Sequence, residues 1–461
     1  MLKSYYIESL GCAKNQVDSE YIMAELEADG YVRAEQAEDA GLIVVNTCAF
    51  IESAKRESIN TILSFRQLYP GKRISVRGCL AERYQKELEE SLPEADEFCG
   101  VPDPAATEKS GVRPGARPIL SLPGSAYVKI SEGCNNRCSF CAIPRIRGPL
   151  KSRSIESVTA ECRDLLRRGI KELVLIAQDA GSYGQDNAAI SNRGGWQLPD
   201  GGQLPALLRE IASIGEDSVA GDGASDFWVR LLYIHPDRLL PQNPDGGNLL
   251  EELIAVIRDN PRILPYFDLP FQHAAPSVLR AMGRKGNRDA YLNVIQRLRE
   301  SLPGAIIRST FLTGFPGETD RDFAALLDFQ REARIDWLGV FTYSREEDTA
   351  AYTMKNRVNK KTAASRKAAI EEAQIPITAA RLETFIGIET LALIEEEVDS
   401  GDETGADTIP ASRLAIGRLP IHAPEVDGAA VIESDRPLEP GTFVRVTTLG
   451  AAGVDMRCRA R

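Results

Sequence analysis

The chain reads as an α/β protein in three parts: an N-terminal doubly wound α/β domain, a central partial (βα)6 barrel and a small C-terminal OB-like β-barrel. Three observations predict this. Up to about residue 118, apolar strand-like runs alternate with helical stretches, the signature of a parallel sheet covered by helices. Between 124 and 343 a strand–helix unit repeats six times. After about 381 the pattern changes to short alternating strands separated by Gly, Pro and Asp. At 461 residues the chain is too long for one ordinary core, and we place the domains at 1–118, 119–380 and 381–461.

In the first domain, 3–10 reads as a strand and 15–29 as an amphipathic helix stopped by Gly30. A short apolar strand at 42–46 precedes a helix running through Leu68. A third strand at 73–77 precedes a helix at 80–91. The stretch that follows carries Pro102, Pro104, Pro114, Pro118 and Pro123 with several glycines, and reads as an interdomain connection.

Barrel strands are expected at 126–131, 172–177, 227–234, 263–271, 305–312 and 337–343. Helices are expected near 154–168, 204–214, 249–258, 288–301, 320–332 and 360–380. Six such units close into an incomplete barrel related to the eight-fold one, with its chemistry at the C-terminal face of the strands. The stretches 184–202 and 215–225 are rich in Gly, Asn and Asp and read as mobile loops. Five strands at 385–397, 413–419, 429–433, 442–448 and 455–459 make up the last domain.

The bulk numbers narrow the function. A hydrophobic content of 43% and a charged content of 26% are those of a globular protein in water. No apolar run approaches the ~18 residues of a membrane span, and the N-terminus lacks the apolar stretch of a signal peptide. A cytoplasmic location is expected, where thiols stay reduced. Nine Cys, an odd number scattered over a long chain, make a poor disulfide framework. The formal charge of −12 disfavours nonspecific nucleic-acid binding and favours a basic partner. From Arg381 onward there are 15 acidic against eight basic residues.

Six of the cysteines stand in informative places. Each of the first three strands is followed by one, in Leu10-Gly11-Cys12, Asn46-Thr47-Cys48 and Arg77-Gly78-Cys79. Ligands of open parallel sheets bind at the carboxyl ends of strands, so these three thiols can meet. Three ordinary buried cysteines, or a structural zinc site, are the other readings, although zinc usually takes four ligands in paired C-x2-C units. The second set lies after the first barrel strand, in Gly133-Cys134-Asn135-Asn136-Arg137-Cys138-Ser139-Phe140-Cys141. Iron–sulfur clusters are normally held by four Cys. A compact triplet without a nearby fourth leaves one iron of a cubane open to a ligand that is not protein.

This C-x3-C-x2-C spacing, with an aromatic before the last Cys, resembles the radical S-adenosylmethionine (SAM) superfamily. There the open iron chelates SAM and cleaves it reductively to a 5'-deoxyadenosyl radical. The three parts in this order resemble the methylthiotransferases over essentially the whole chain. Ser9-Leu10-Gly11-Cys12-Ala13-Lys14-Asn15 and Ile176-Ala177-Gln178-Asp179 are similar to the ribosomal-protein branch, the RimO type. Gly417-Arg418 and Ala423-Pro424-Glu425-Val426-Asp427-Gly428 resemble a TRAM domain. The resemblance implies two [4Fe-4S] clusters, one on Cys134, Cys138 and Cys141 with SAM, the other on Cys12, Cys48 and Cys79 carrying the sulfur. It implies a basic small-subunit ribosomal protein as substrate, with one aspartate of the decoding centre converted to its β-methylthio form. A sulfur donor and an electron donor come from outside. Such a reaction breaks an unactivated C–H bond, which a carbon radical does and a side-chain base does not.

Two rivals stand beside this reading: a tRNA adenosine methylthiotransferase, and a non-catalytic iron–sulfur or zinc protein. The acidic last domain weighs against the first rival, because an RNA-binding barrel should be basic; RNA contact is expected only on the ribosome. An open iron weighs against the second.

Further candidates come from position. Phe140 is expected near the SAM adenine or in the core beside the cluster. Gln178 and Asp179 end the second barrel strand at the catalytic face and are SAM-contact candidates. The run from Ser309 to Glu318 includes Thr310 and Gly314, which would let SAM approach the backbone; the alternative is a tight strand-to-helix turn. Arg145, Arg147, Lys151 and Arg153 form either a solvated face or a carboxylate-steering patch. His235 and His273 read as structural, His422 in the last domain has no assigned role, Cys162 reads as core, and Cys99 and Cys458 as structural or incidental. Glu395, Glu396 and Glu397 are expected to form a docking surface for a basic protein.

Overall fold

The computed structural model describes residues 3–102, 114–186, 203–215, 227–241, 248–398 and 413–461. Most of the loops expected at 184–202 and 215–225 lies outside these residues, as does 103–113 of the proline-rich connection. Among the described residues no helix is long and apolar enough to cross a membrane.

The first domain is a parallel sheet of β1 (Ser4–Ser9), β2 (Val32–Arg33), β3 (Leu42–Thr47), β4 (Arg73–Gly78) and β5 (Glu97–Cys99), in the order β2-β1-β3-β4-β5. Helices α1 (Ala13–Ala28), α2 (Glu52–Leu68) and α3 (Cys79–Ser91) connect them. The expected three strands become five. The two extra ones are edge strands of two and three residues, too short to show a period-2 pattern.

Helix α1 departs from the amphipathic reading. Lys14, Asn15, Asp18, Ser19 and Glu20 are all buried along with its apolar residues. The helix is covered on both sides, by its own sheet and by the second domain, so its polar residues face protein.

The second domain carries six parallel strands: β6 (Ser125–Lys129), β9 (Glu172–Ile176), β10 (Trp228–Leu231), β11 (Tyr266–Asp268), β12 (Ile306–Thr313) and β13 (Trp337–Thr342). A small antiparallel ribbon of β7 (Ser131–Glu132) and β8 (Lys151–Ser152) follows β6. Backbone bonding runs β6-β9-β10 and β11-β12-β13, and the Leu264 N–H to Val229 carbonyl bond (2.9 Å) joins the halves. The helices are α4 (Ile143–Ile146), α5 (Ile155–Arg167), α6 (Leu204–Ala212), α7 (Leu249–Asp259), α8 (Pro276–Ala281), α9 (Arg288–Ser301), α10 (Asp320–Ala333) and α11 (Lys360–Glu383). The six predicted barrel helices are present; α4 and α8 are short additions.

Strand alternation sorts the barrel residues into two faces. Ala126, Val128, Leu173, Leu175 and Val229 pack under the helices. Tyr127, Val174, Trp228, Tyr266 and Trp337 point the other way, into a core shared with Val17 and Tyr21 of α1 and with the last domain. That domain is a closed barrel of β14 (Glu389–Val398), β15 (Arg413–Arg418), β16 (Ala430–Ser434), β18 (Asp455–Ala460) and β17 (Phe443–Ala452), in that order. The half-barrel is thus filled from its open face by its two neighbours.

Buried charge pins the joints. Glu172 of β9 pairs with Arg230 (2.8 Å) and with Arg418 of β15 (2.5 Å), all essentially solvent-free. Burial alone would raise the Glu172 carboxyl, but the two guanidiniums hold it down at about 2. The Trp337 indole donates to the Ile421 carbonyl (2.8 Å) and the Tyr266 hydroxyl to Asp427 (2.5 Å). Arg117, in the supposed connection, is fully buried and binds Glu20 of α1 (2.7 Å) and Glu161 of α5. This part of the connection is therefore a fastening.

The Glu395–Glu397 docking surface is corrected by the same pairing. Glu395 is taken up by Arg418, Glu397 pairs with Arg413 (3.0 Å), and only Glu396 is exposed.

Removing one partner from a buried ion pair leaves an uncompensated charge, at a cost of about 3–5 kcal/mol. Glu172→Gln is accordingly expected to lower the melting temperature clearly. A melting temperature equal to that of the parent chain would contradict this account of the joint.

Candidate functional site

The first thiol set forms where β1, β3 and β4 end. Gly11 has φ +105°, and a Cβ there would lie 2.9 Å from Cys48 Cβ; only glycine lets the first turn come this close. Asn15 Nδ2 donates to the carbonyls of Leu10 (2.9 Å) and Thr47 (2.8 Å), and Asn46 Nδ2 donates to the Asn15 carbonyl (2.7 Å). Thr47 Oγ1 donates to the Arg77 carbonyl (2.5 Å). The three turns are thereby tied together, with Cys12 exposed and Cys48 and Cys79 buried.

The second set sits on the loop after β7. Gly133 has φ +73°, and a Cβ there would lie 2.1 Å from the Pro149 carbonyl oxygen. The Cys134 N–H donates to the Gly148 carbonyl (3.1 Å), the Ser139 N–H to the Met282 carbonyl (3.0 Å) and the Cys141 N–H to the Cys138 carbonyl (3.1 Å). Asp179 organises the middle of the loop. Its carboxylate accepts from Asn136 Nδ2 (2.7 Å), Arg238 Nε (3.1 Å) and the His235 N–H (3.1 Å). His235 Nδ1 accepts the Asp237 N–H (3.3 Å), so in the neutral ring Nε2 carries the proton, 3.6 Å from Cys138 Sγ.

Burial pushes five of the thiols up: Cys48, Cys134 and Cys138 above the usual range, Cys79 and Cys141 to about 12. Bare, they would stay protonated at neutral pH. A bound metal deprotonates a coordinating thiol, so both sets suit metal ligation better than thiol catalysis. Among the described residues no three His, Cys, Asp or Glu side chains form a group that could hold a single metal ion. A cubane meets each thiolate at a separate iron and needs no such convergence.

A buried ion cluster lies between the two sets. Lys129 of β6 pairs with Asp18 of α1 (2.5 Å) and Glu132 (2.7 Å); Arg147 pairs with Asp18 (2.8 Å) and Glu132 (3.3 Å). Arg147 also donates to Asn15 Oδ1 (2.6 Å) and to Cys79 Sγ (3.2 Å). Burial would raise Glu132, but Lys129 and Arg147 hold it at about 2. The loop that follows Cys141 thus reaches a thiol of the other set. This corrects the basic-run reading: Arg145 and Lys151 are exposed, but Arg147 is buried and paired, and Arg153 pairs with Glu161 (2.5 Å).

The other candidates fall as follows. Phe140 packs, partly buried, against a small apolar cluster that includes Ala275, Val278, Leu312 and Phe315. Gln178 Nε2 donates to Glu132 (2.6 Å). Thr310 lies on β12, its carbonyl accepting the Gln272 N–H (2.8 Å). Gly314 has φ +76°, its N–H donates to Glu318, and a Cβ would lie 2.4 Å from Ala363 Cβ; the strand-to-helix turn accounts for this glycine. His273 is fully buried, accepting two backbone N–H groups (both 3.0 Å), and burial lowers it to about 4. His422 and Cys162 are likewise solvent-free. Sequence reasoning missed Asp18, Lys129, Glu132 and Asn136. A lysine within an apolar strand and an acid in mid-helix were the available signals.

A parallel half-barrel with this cysteine loop at its mouth defines the class, a radical SAM protein. Family models agree: "Radical SAM superfamily" over residues 128–329, "Uncharacterized protein family UPF0004" over 4–100 and "TRAM domain" over 386–460. Among solved structures, the radical S-adenosylmethionine methyltransferase TsrM from Kitasatospora setae matches at TM-score 0.50 and 13% identity, over 81% of this chain and 89% of that one, a likeness of fold alone.

Full-length relatives narrow the class. The ribosomal protein uS12 methylthiotransferase RimO of Treponema denticola is 39% identical over 98% of this chain and 99% of its own. The protein of that name from Moorella thermoacetica is 40% identical over 95% and 94%. The chain belongs to the RimO family of methylthiotransferases. The radical SAM family implies a [4Fe-4S] cluster and SAM.

Adding a methyl group at Gly133 collides with backbone at an unfavourable φ. Gly133→Ala is expected to abolish SAM cleavage, read as 5'-deoxyadenosine formed under dithionite, while the melting temperature stays within a few degrees. Cleavage at the parent rate would contradict the loop geometry.

Proposed function

We propose that this chain is a methylthiotransferase that places a methylthio group on the β-carbon of one aspartate in ribosomal protein uS12. What supports this reading is that the strand-end turns of Cys12, Cys48 and Cys79 are tied together, and that Arg147, from the loop that follows Cys141, donates to Cys79 Sγ. A reaction that needs both a carbon radical and a sulfur atom needs two such centres side by side.

In this reading Cys134, Cys138 and Cys141 hold the SAM cluster, and Cys12, Cys48 and Cys79 hold a second [4Fe-4S] cluster. When bound, these groups supply the hydrogen-abstracting radical, the sulfur and the methyl group. The chain's own residues orient and insulate. Asp179, Asn136 and Arg238 fix the loop that presents the SAM cluster. His235 donates toward Cys138 and Arg147 toward Cys79, and donors to ligand sulfurs tune an attached metal. Phe140, Gln178 and Thr310 are the proposed lining of the SAM site, with Gly314 shaping the turn that follows β12. Gln178 is the one whose amide is already aimed at the ion cluster between the triads. The α1 side and the last domain close the barrel, excluding water around the radical. An external sulfur donor and electron donor complete the cycle, and the setting is the cytoplasm.

The substrate is supported by the full-length relatives and by charge. The chain is acidic, whereas a protein that lies among ribosomal RNA phosphates is basic, so attraction has the right sign.

Two variants separate the centres. Cys134→Ala is expected to lose both SAM cleavage and product, whereas Cys12→Ala keeps cleavage and loses sulfur insertion. Full methylthio product from Cys12→Ala would overturn the second-cluster reading. The substrate is tested by mass spectrometry of uS12 from cells with and without the gene. A methylthio mass gain on one aspartate is expected only with it; loss of methylthio nucleosides from tRNA instead would overturn the reading.

A further inference from the structure

Helix α1 carries a cation that no carboxylate among the described residues touches, although Cys12, Asp268 and Glu132 act on it from further off. Lys129, Arg147 and Arg117, packed against this helix, each hold a carboxylate. Lys14, on the same helix, is 9% exposed, yet among the described residues its Nζ makes no hydrogen bond or ion pair. It rests on the Tyr233 ring, 3.0 Å from the centroid. A buried ammonium without an anion in contact costs stability, and a cation–π contact with longer-range attraction recovers only part of that cost.

The position of Lys14 is as informative as its isolation. It lies two residues after Cys12, at the turn that carries the first thiol set. Tyr233 lies two residues before His235, whose Nε2 is 3.6 Å from Cys138 Sγ of the second set. The ammonium therefore lies by the first set, on a ring whose segment runs on to the histidine at the second set.

Tyr233 is held there against its own preference. Its φ is +64°, rare for an aromatic residue. The strain is imposed by two bonds: the Tyr233 N–H donates to Asp268 (3.2 Å), and its carbonyl accepts the Ala180 N–H (2.9 Å). A strained residue fixed by its neighbours is a mark of a functional site.

An aspartate β-carbon is bonded directly to the carboxyl carbon, so a site that works on the first must accommodate the second. We propose that Lys14, seated on Tyr233, recognises the side-chain carboxylate of the substrate aspartate. The inference rests on the function proposed above and adds its specificity element. It explains how the site distinguishes an acidic side chain from asparagine and from a nucleobase, which has no carboxylate to offer. Pairing with the substrate would also give the ammonium a contacting anion.

A binding cycle tests it with the full, anaerobically reconstituted chain. Affinities are measured for uS12 carrying the target aspartate and for uS12 carrying asparagine there, each against the parent chain and Lys14→Met. A charge-assisted contact predicts that the parent binds the aspartate form about 10- to 100-fold more tightly. Lys14→Met should bind both forms equally, at the weaker level, with SAM affinity and iron content unchanged. Its melting temperature without substrate should be equal to or above the parent's, because the unpaired charge is gone.

A persistent preference for aspartate in Lys14→Met would overturn the inference. So would a fall in its SAM affinity or its iron, which would make Lys14 a partner of SAM or of the cluster. If the parent chain binds neither form and adds no mass to uS12, the proposed function itself falls; the other failures leave that function standing.

Discussion

Everything at the centre of this molecule depends on two carboxylates of α1 being caught by cations of the connection and of the neighbouring domain. Asp18 is held by Lys129 and Arg147, and Glu20 by Arg117. None of these groups reaches bulk water. Buried charges persist only when paired with good geometry, so the pairing sets how the first domain sits on the barrel. Apolar packing of Val17 and Tyr21 supplies area but little direction, whereas ion pairs at 2.5–2.8 Å fix both angle and register.

The thiols follow from that placement. The turn with Cys12 opens α1, and Asn15 of the same helix ties the turns of Cys48 and Cys79 to it. On the other side, the strand that carries Lys129 leads into the loop with Cys134, Cys138 and Cys141. One helix and one strand, joined by a salt bridge, thus lead to the two cysteine sets: α1 opens at Cys12, to whose turn those of Cys48 and Cys79 are tied, and β6 runs on to the second loop. Arg147 closes the circuit by leaving the second loop and touching Cys79. Lys14 is the departure from the rule that every cation near α1 is paired, which makes it the place where an incoming anion would be rewarded.

Much of this was legible in the sequence. The strand–helix alternation and the six cysteines are local patterns, and the barrel strands and helices lie within a few residues of where periodicity puts them. What was illegible depends on contact between distant segments. Arg147 reads as one charge in a surface run until Asp18, 129 positions away, is known to lie beside it. Glu395 reads as part of an acidic docking surface until Arg418 is placed beside it. Helix α1 reads as amphipathic because its buried side chains include lysine, aspartate and glutamate, which pattern counting scores as solvent-facing. The edge strands β2 and β5 are too short to carry any pattern.

The most direct test of the central claim is an iron and sulfide count on the anaerobically reconstituted chain, beside a variant in which Cys134, Cys138 and Cys141 are all alanine. Two cubane sites held side by side predict about eight irons per parent chain and about four in the variant. About four irons in the parent and none in the variant, or zinc in place of iron, would contradict the account.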